Sequence, residues 1–167
     1  MKRQMYTQTG IILIGAIVIF LSSQWTFAAE TPILYLFWGD GCPHCEKEKH
    51  FLQNLRRQYP ELEMRWFETW EHPEFAKLAD SLRKAYKIKT ASVPMTFLGA
   101  WSRVGFRSAD TTGTQIVKQI ENCLQAECQD ALAKLGPQAI VEKIYTEAVQ
   151  NKPKNWEYFP ALSKKKE

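Results

Sequence analysis

Cys42 and Cys45 stand three residues apart, with Pro43 and His44 between them. Four chemistries use two thiols at this spacing: thiol–disulfide exchange, half of a zinc site, haem attachment and a structural staple. Haem attachment needs a His directly after the second Cys, and Glu46 stands there. Zinc needs a second ligand pair of suitable spacing. Cys123 and Cys128 make a poor one in a chain whose N-terminus reads as an export signal. Exchange is therefore favoured, with a purely structural bridge as its rival.

The surrounding residues place the pair. Ile33 to Trp38 is an unbroken apolar run bounded by Pro32 and Gly39, the pattern of a central strand buried on both faces. Phe51, Leu52, Leu55 and Tyr59 then recur at helical spacing until Pro60. Cys42 falls at the junction, where unpaired N–H groups and the positive end of the helix dipole favour a thiolate. Pro43 fits the first helical turn, where a missing N–H costs nothing. Cys45 lies one turn into the helix, beside Cys42. His44 offers a positive charge or a hydrogen-bond donor near the Cys42 sulfur. Such surroundings lower a thiol pKa from ~8.5 to roughly 3.5–7.5. A stabilised thiolate favours the reduced pair, so its disulfide is the stronger oxidant. One sulfur would form a mixed disulfide and its neighbour would resolve it.

Further along, Leu62, Met64 and Trp66 alternate with Glu63, Arg65 and Phe67, which predicts a second strand. Phe75, Leu78, Ala79, Leu82, Ala85 and Tyr86 mark one face of an amphipathic helix. Met95 to Leu98 and Trp101 to Phe106 flank Gly99-Ala100 as a hairpin. Ile116, Val117, Ile120 and Leu124 form the inner face of another helix. After Gly136-Pro137, the spacing of Ile140, Val141, Ile144, Tyr145, Ala148 and Val149 predicts a terminal helix. Residues 151–167 show no period and are left as a tail. The order β-α-β-α-β-β-α, with an extra C-terminal helix, makes an α/β fold. Its first two strands should be parallel and its hairpin antiparallel, in a mixed β-sheet flanked by helices.

A chain of 167 residues, 45% hydrophobic and 13% aromatic, suits one globular domain. Its net charge of +4 is mild. No basic stripe with interleaved aromatics appears, so no nucleic-acid partner is expected, and Lys164 to Lys166 read as a solvated tail. Lys2 and Arg3, the apolar run Ile11 to Leu21, and then Thr26-Phe27-Ala28-Ala29 follow the layout of a secretory signal. The apolar run falls short of the ~20 residues that cross a bilayer as a helix. Residues 1–28 are expected to be a signal peptide cleaved after Ala28, with an uncleaved N-terminal anchor as the rival. The working domain then covers 30–150, outside the cytoplasm. Four cysteines form an even set there, which makes disulfide chemistry the default. In a continuous helix the Cα atoms of Cys123 and Cys128 would be about 8 Å apart, beyond the ~7 Å limit for a bridge. A structural disulfide between them requires the helix to end near Gln125 to Glu127. An auxiliary redox pair or two free thiols are the alternatives.

Cys42-Pro43-His44-Cys45 after an apolar strand, followed by Val93-Pro94 before another, resembles the thioredoxin superfamily over roughly Thr31 to Leu124. The resemblance implies a thioredoxin-like fold in which Pro94, as a cis-proline, packs beside the redox cysteines. Trp38 resembles the family's aromatic ahead of the motif. The Pro-His dipeptide is similar to that of DsbA-type periplasmic oxidases. Two departures stand out. DsbA-type folds carry a large helical insertion, whereas about 47 residues separate Cys45 from Val93, room for one strand and one helix. Thioredoxins carry a buried acid six residues before the first Cys, and Leu36 occupies that position. Asp40, Glu46 and Glu48 are candidate substitutes, each read as a solvated charge. His72 reads as a helix-start residue and His50 as an ordinary helix residue; neither is taken as catalytic.

These expectations combine into a periplasmic thiol–disulfide oxidoreductase. Its catalytic residues would be Cys42, Cys45, His44 and Pro94, with Cys123 and Cys128 as a structural disulfide. It would need no cofactor beyond the disulfide and no metal. Its partners would be client proteins with thiols or disulfides and a membrane redox protein that resets the pair. Pro-His points to an oxidase. A thioredoxin-like envelope reductase, such as those serving cytochrome maturation, is one alternative. A client-binding module with Cys42–Cys45 as a staple is the other.

Overall fold

The computed structural model describes residues 31–137, 146 and 157–159. Its main elements are β1 (Ile33–Trp38), α1 (Pro43–Gln58), β2 (Glu63–Glu68), α2 (Pro73–Ala85), β3 (Met95–Leu98), β4 (Trp101–Val104), α3 (Thr114–Gln125) and β5 (Glu157–Phe159). They build a mixed α/β sheet in the order β4-β3-β1-β2-β5. β1 pairs parallel with β2, and β1 with β3, β3 with β4 and β2 with β5 are antiparallel.

The two-residue period of β1 divides the core. Leu34, Leu36 and Trp38 share one cluster with Leu52 and Leu55 of α1 and Ile116 and Ile120 of α3. Tyr35 and Phe37 share the other with Phe75, Leu78 and Leu82 of α2. Phe67 links that second layer, its ring 5.2 Å from Phe37 and 4.9 Å from Phe75. Helices therefore cover both faces. Burial of each large side chain contributes about 1.5–3 kcal/mol, which fixes β1 at the centre and its C-terminal end at the sheet's rim.

The breakers act where the sequence puts them. Cys42 caps α1 with Pro43 in its first turn, and the Tyr59 N–H closes the helix on the Leu55 carbonyl. His72 stands at the start of α2, ahead of Pro73. The inner face of α3 differs from expectation by one residue. Cys123, not Leu124, continues the Ile116–Ile120 stripe, and Leu124 is exposed. Cys123 faces inward because it is bridged. α3 ends at Gln125, Ala126 is extended, and the Cys123 and Cys128 Cα atoms come within 4.8 Å, closing the disulfide. The bridge lies under the β3–β4 turn, where Gly99 has φ +57° and an added Cβ would come 2.7 Å from the Cys128 sulfur. Only glycine meets both demands.

β5 comes from the segment left as a tail, and it pairs Glu157 to Phe159 with Trp66 to Met64. The expected signal segment 1–28 and the periodic stretch Ile140 to Val149 lie outside the described residues. No helix among the described residues is long and apolar enough to cross a membrane.

Candidate functional site

β1 delivers the chain to the sheet's rim, and Gly39 starts the turn into α1. The Gly39 carbonyl accepts the Cys42 N–H at 3.2 Å. The Cys42 sulfur in turn accepts the Cys45 N–H at 3.4 Å. Both cysteines are free thiols. Cys42 keeps 7% of its surface open, whereas Cys45 has none. Burial pushes the Cys45 thiol well above its ordinary pKa, and the neighbouring Cys42 sulfur and Glu48 carboxylate push the same way. The two sulfurs are thus unequal. Cys42 sits at the positive end of the helix with an N–H donor aimed at it, and Cys45 is held as a neutral thiol behind it.

His44 is exposed, and its Nδ1 lies 3.0 Å from the Phe106 carbonyl oxygen. A carbonyl only accepts, so Nδ1 carries the proton. The N–H donor to the Cys42 sulfur is the Cys45 amide, and the His44 Nδ1–H is committed to Phe106. That nitrogen is therefore not the one through which His44 would serve as a hydrogen-bond donor near the Cys42 sulfur. Val93–Pro94 is a cis peptide bond, as the resemblance implied. The Pro94 carbonyl accepts the Gly105 N–H at 2.8 Å, and Val93 packs against the cluster that contains Trp38, Cys42 and Cys45. Trp38 is itself buried, with the Lys49 ammonium 3.7 Å from its ring centroid.

Glu48 overturns one expectation. It is only 1% exposed, one helical turn beyond Cys45, and its carboxylate accepts a hydrogen bond from the Thr96 hydroxyl. Burial pushes its pKa up to about 7, against the pull of the Thr96 hydrogen bond. Thr96 lies opposite Leu36 in the β1–β3 register. α1 therefore places an acid in the layer where β1 carries Leu36. Its signal in the sequence was a carboxylate at i+3 from a cysteine on the helix's inner face. Asp40 and Glu46 are solvated, as expected: Asp40 is exposed, and Glu46 pairs with Lys49 at 3.4 Å on the surface.

Glu68 was not anticipated at all. It is 0% exposed, and its carboxylate accepts the backbone N–H groups of Asp40, Trp70 and Glu71 at 3.1, 2.9 and 2.8 Å. Thr69 donates its backbone N–H and its hydroxyl to the Trp38 carbonyl at 2.8 and 2.9 Å. The loop after β2 is thereby fastened to the loop that carries Cys42. Compared with known proteins, the chain matches no protein-family model and no curated protein. The chemistry available to the site is that of two unequal thiols, a buried acid near neutrality and an exposed imidazole.

Proposed function

We propose that the protein is a thiol–disulfide oxidoreductase of thioredoxin-like type that works outside the cytoplasm and oxidises client proteins through Cys42 and Cys45. One observation carries this: the Cys42 sulfur caps α1 and accepts the Cys45 N–H, with Cys45 fully buried behind it. A staple requires no such difference between its sulfurs, whereas exchange needs an accessible attacking or accepting sulfur and a protected resolving one. The sheet order, with β1 central, and the cis Val93–Pro94 bond, whose Val93 packs against the core cluster that includes both cysteines, support the thioredoxin-like assignment. The Cys123–Cys128 bridge fits an oxidising compartment.

In the oxidising direction the resting form is the Cys42–Cys45 disulfide. A client thiolate attacks the Cys42 sulfur, the client–Cys42 bond forms, and the Cys42–Cys45 bond breaks. Cys45 leaves as a thiolate and takes a proton, for which protonated Glu48 is the nearby donor. A second client thiolate attacks the client sulfur of the mixed disulfide and releases Cys42 as a thiolate. The client loses two electrons and the pair gains them. A disulfide of the membrane redox partner takes them back.

The reductase alternative keeps one specific observation in its favour. Glu48, pushed up to about 7, is an equally apt acceptor for the Cys45 proton when Cys45 attacks a mixed disulfide. Mixing the oxidised protein with a reduced dithiol peptide at pH 7 tests the oxidising assignment. One peptide disulfide should form per Cys42–Cys45 pair reduced; an unchanged peptide would count against it.

A further inference from the structure

The Cys123–Cys128 bridge opens onto a pocket of about 310 Å³, and both cysteines belong to its wall. Cys123 and Cys128 keep 7% and 8% of their surface open, no less than the 7% of Cys42. A bridge that only staples a loop gains nothing from such access, and accessible disulfides are the labile ones. The pocket lies far from the first pair. Gly99, in its wall, follows Leu98, which pairs with Leu34 near the start of β1, whereas Cys42 follows the other end of that strand. Leu34 and Trp38 alone are roughly 13 Å apart along β1, so the bridge is a separate site that does not exchange directly with Cys42.

Much of the remaining wall is polar. Asn122 and Gln129 are exposed side-chain amides, Lys134 brings a positive charge and Glu127 a negative one. The Asp130 carboxylate is already occupied, accepting from the Tyr35 hydroxyl at 3.0 Å and from the Leu132 N–H at 2.8 Å. Lys134 is held over the Tyr86 ring, its ammonium 4.4 Å from the centroid. One exposed charge of each sign and two amides match a small zwitterionic peptide, and the volume suits a small-molecule site. Gln119 also lines the pocket and donates its side-chain N–H to the Cys123 sulfur at 3.6 Å. A hydrogen bond to a thiolate stabilises it, which makes Cys123 the better leaving sulfur.

We propose that the Cys123–Cys128 bridge, besides closing its loop, is a second exchange site that takes a low-molecular-weight peptide thiol of the glutathione class. The small thiolate attacks the Cys128 sulfur and bonds to it. The Cys123–Cys128 bond breaks, and Cys123 leaves as a thiolate that takes a proton from water. A second small thiolate attacks the first one's sulfur in the mixed disulfide and releases Cys128. Two small thiols are thereby oxidised to one disulfide, and the bridge gains their two electrons. This chemistry is independent of Cys42 and Cys45.

The test treats the oxidised full chain with reduced glutathione or with mercaptoethanol, a thiol that has neither charges nor amides. After acid quenching, free thiols are alkylated and the state of each cysteine is read by peptide mapping. At early times glutathione should appear on Cys128, with Cys123 alkylated. The glutathione-to-mercaptoethanol rate ratio should be roughly tenfold higher for the folded chain than for the same chain in urea, the gain expected of two exposed charge contacts. Lys134→Gln and Glu127→Gln should each lower that ratio and leave the mercaptoethanol rate unchanged. Gln119→Leu should slow both thiols alike. A bridge that stays closed in the folded chain, an adduct on Cys123, or an equal ratio in folded and unfolded chain overturns the proposal. Cys42 and Cys45 are mapped in the same digest, so the chemistry of the first pair is read apart from that of this site.

Discussion

The hydroxyl of Thr96 donates to the carboxylate of Glu48 inside the core, one helical turn from Cys45. Burial raises Glu48 from its ordinary 4.5 to about 7, so the folded chain keeps a proton that the unfolded chain has released. Stability from this group is complete below pH 4.5 and is lost as pH rises through about 7, a change of about 3 kcal/mol. Glu48→Gln removes the titration. Urea unfolding from pH 4.5 to 8 should show wild type losing stability relative to Glu48→Gln, and parallel curves would contradict the assignment.

The inequality of the two thiols predicts different traps. Cys45→Ser leaves Cys42 able to form a mixed disulfide that nothing resolves, so a disulfide-bearing client should accumulate as a covalent adduct. Cys42→Ser leaves only the fully buried sulfur and should give almost none. Mass spectrometry after acid quenching reads both. Equal trapping by the two variants would mean that burial does not decide which sulfur is attacked.

Loss of the Cys123–Cys128 bridge should separate stability from chemistry. It closes a loop of sequence separation 5, for which chain entropy gives about 2 kcal/mol. The double serine variant should unfold at lower denaturant and still oxidise dithiol peptides within about twofold of wild type, because one kcal/mol of stability is not one of reactivity. A collapse of exchange in the folded variant would point to an auxiliary redox role for the pair.

Gly39 predicts a local displacement rather than unfolding. A methyl group there would overlap the Trp70 ring, and that ring is exposed enough to swing away. Gly39→Ala should move the Trp70 indole N–H resonance and cost about 1 kcal/mol. Adding Trp70→Ala should recover part of that cost, and strictly additive losses would show that the two residues do not touch.

Much of this site was readable in advance because its signals are local. Ile33 to Trp38 is too apolar for anything but a central strand, and Cys42-Pro43 is a helix start by residue type alone. What escaped depends on partners distant in sequence. Glu48 reads as a solvated charge until Thr96 is brought across from β3. Glu68 reads as the polar end of a strand until three N–H groups from two loops converge on it. The inner face of α3 slipped from Leu124 to Cys123 because a disulfide, not hydrophobicity, sets its last turn. β5 is three residues long, too short for any period to announce it.

Central to the account is that Cys42 and Cys45 form an oxidising exchange pair, and its reduction potential tests this most directly. The full chain is equilibrated with mixtures of reduced and oxidised glutathione, and the Cys42–Cys45 bridge is quantified at each ratio. The pair should titrate as one two-electron couple nearer the roughly −120 mV of DsbA than the about −270 mV of thioredoxin. A value near −270 mV would contradict the oxidising assignment, and a pair that never equilibrates would contradict exchange altogether.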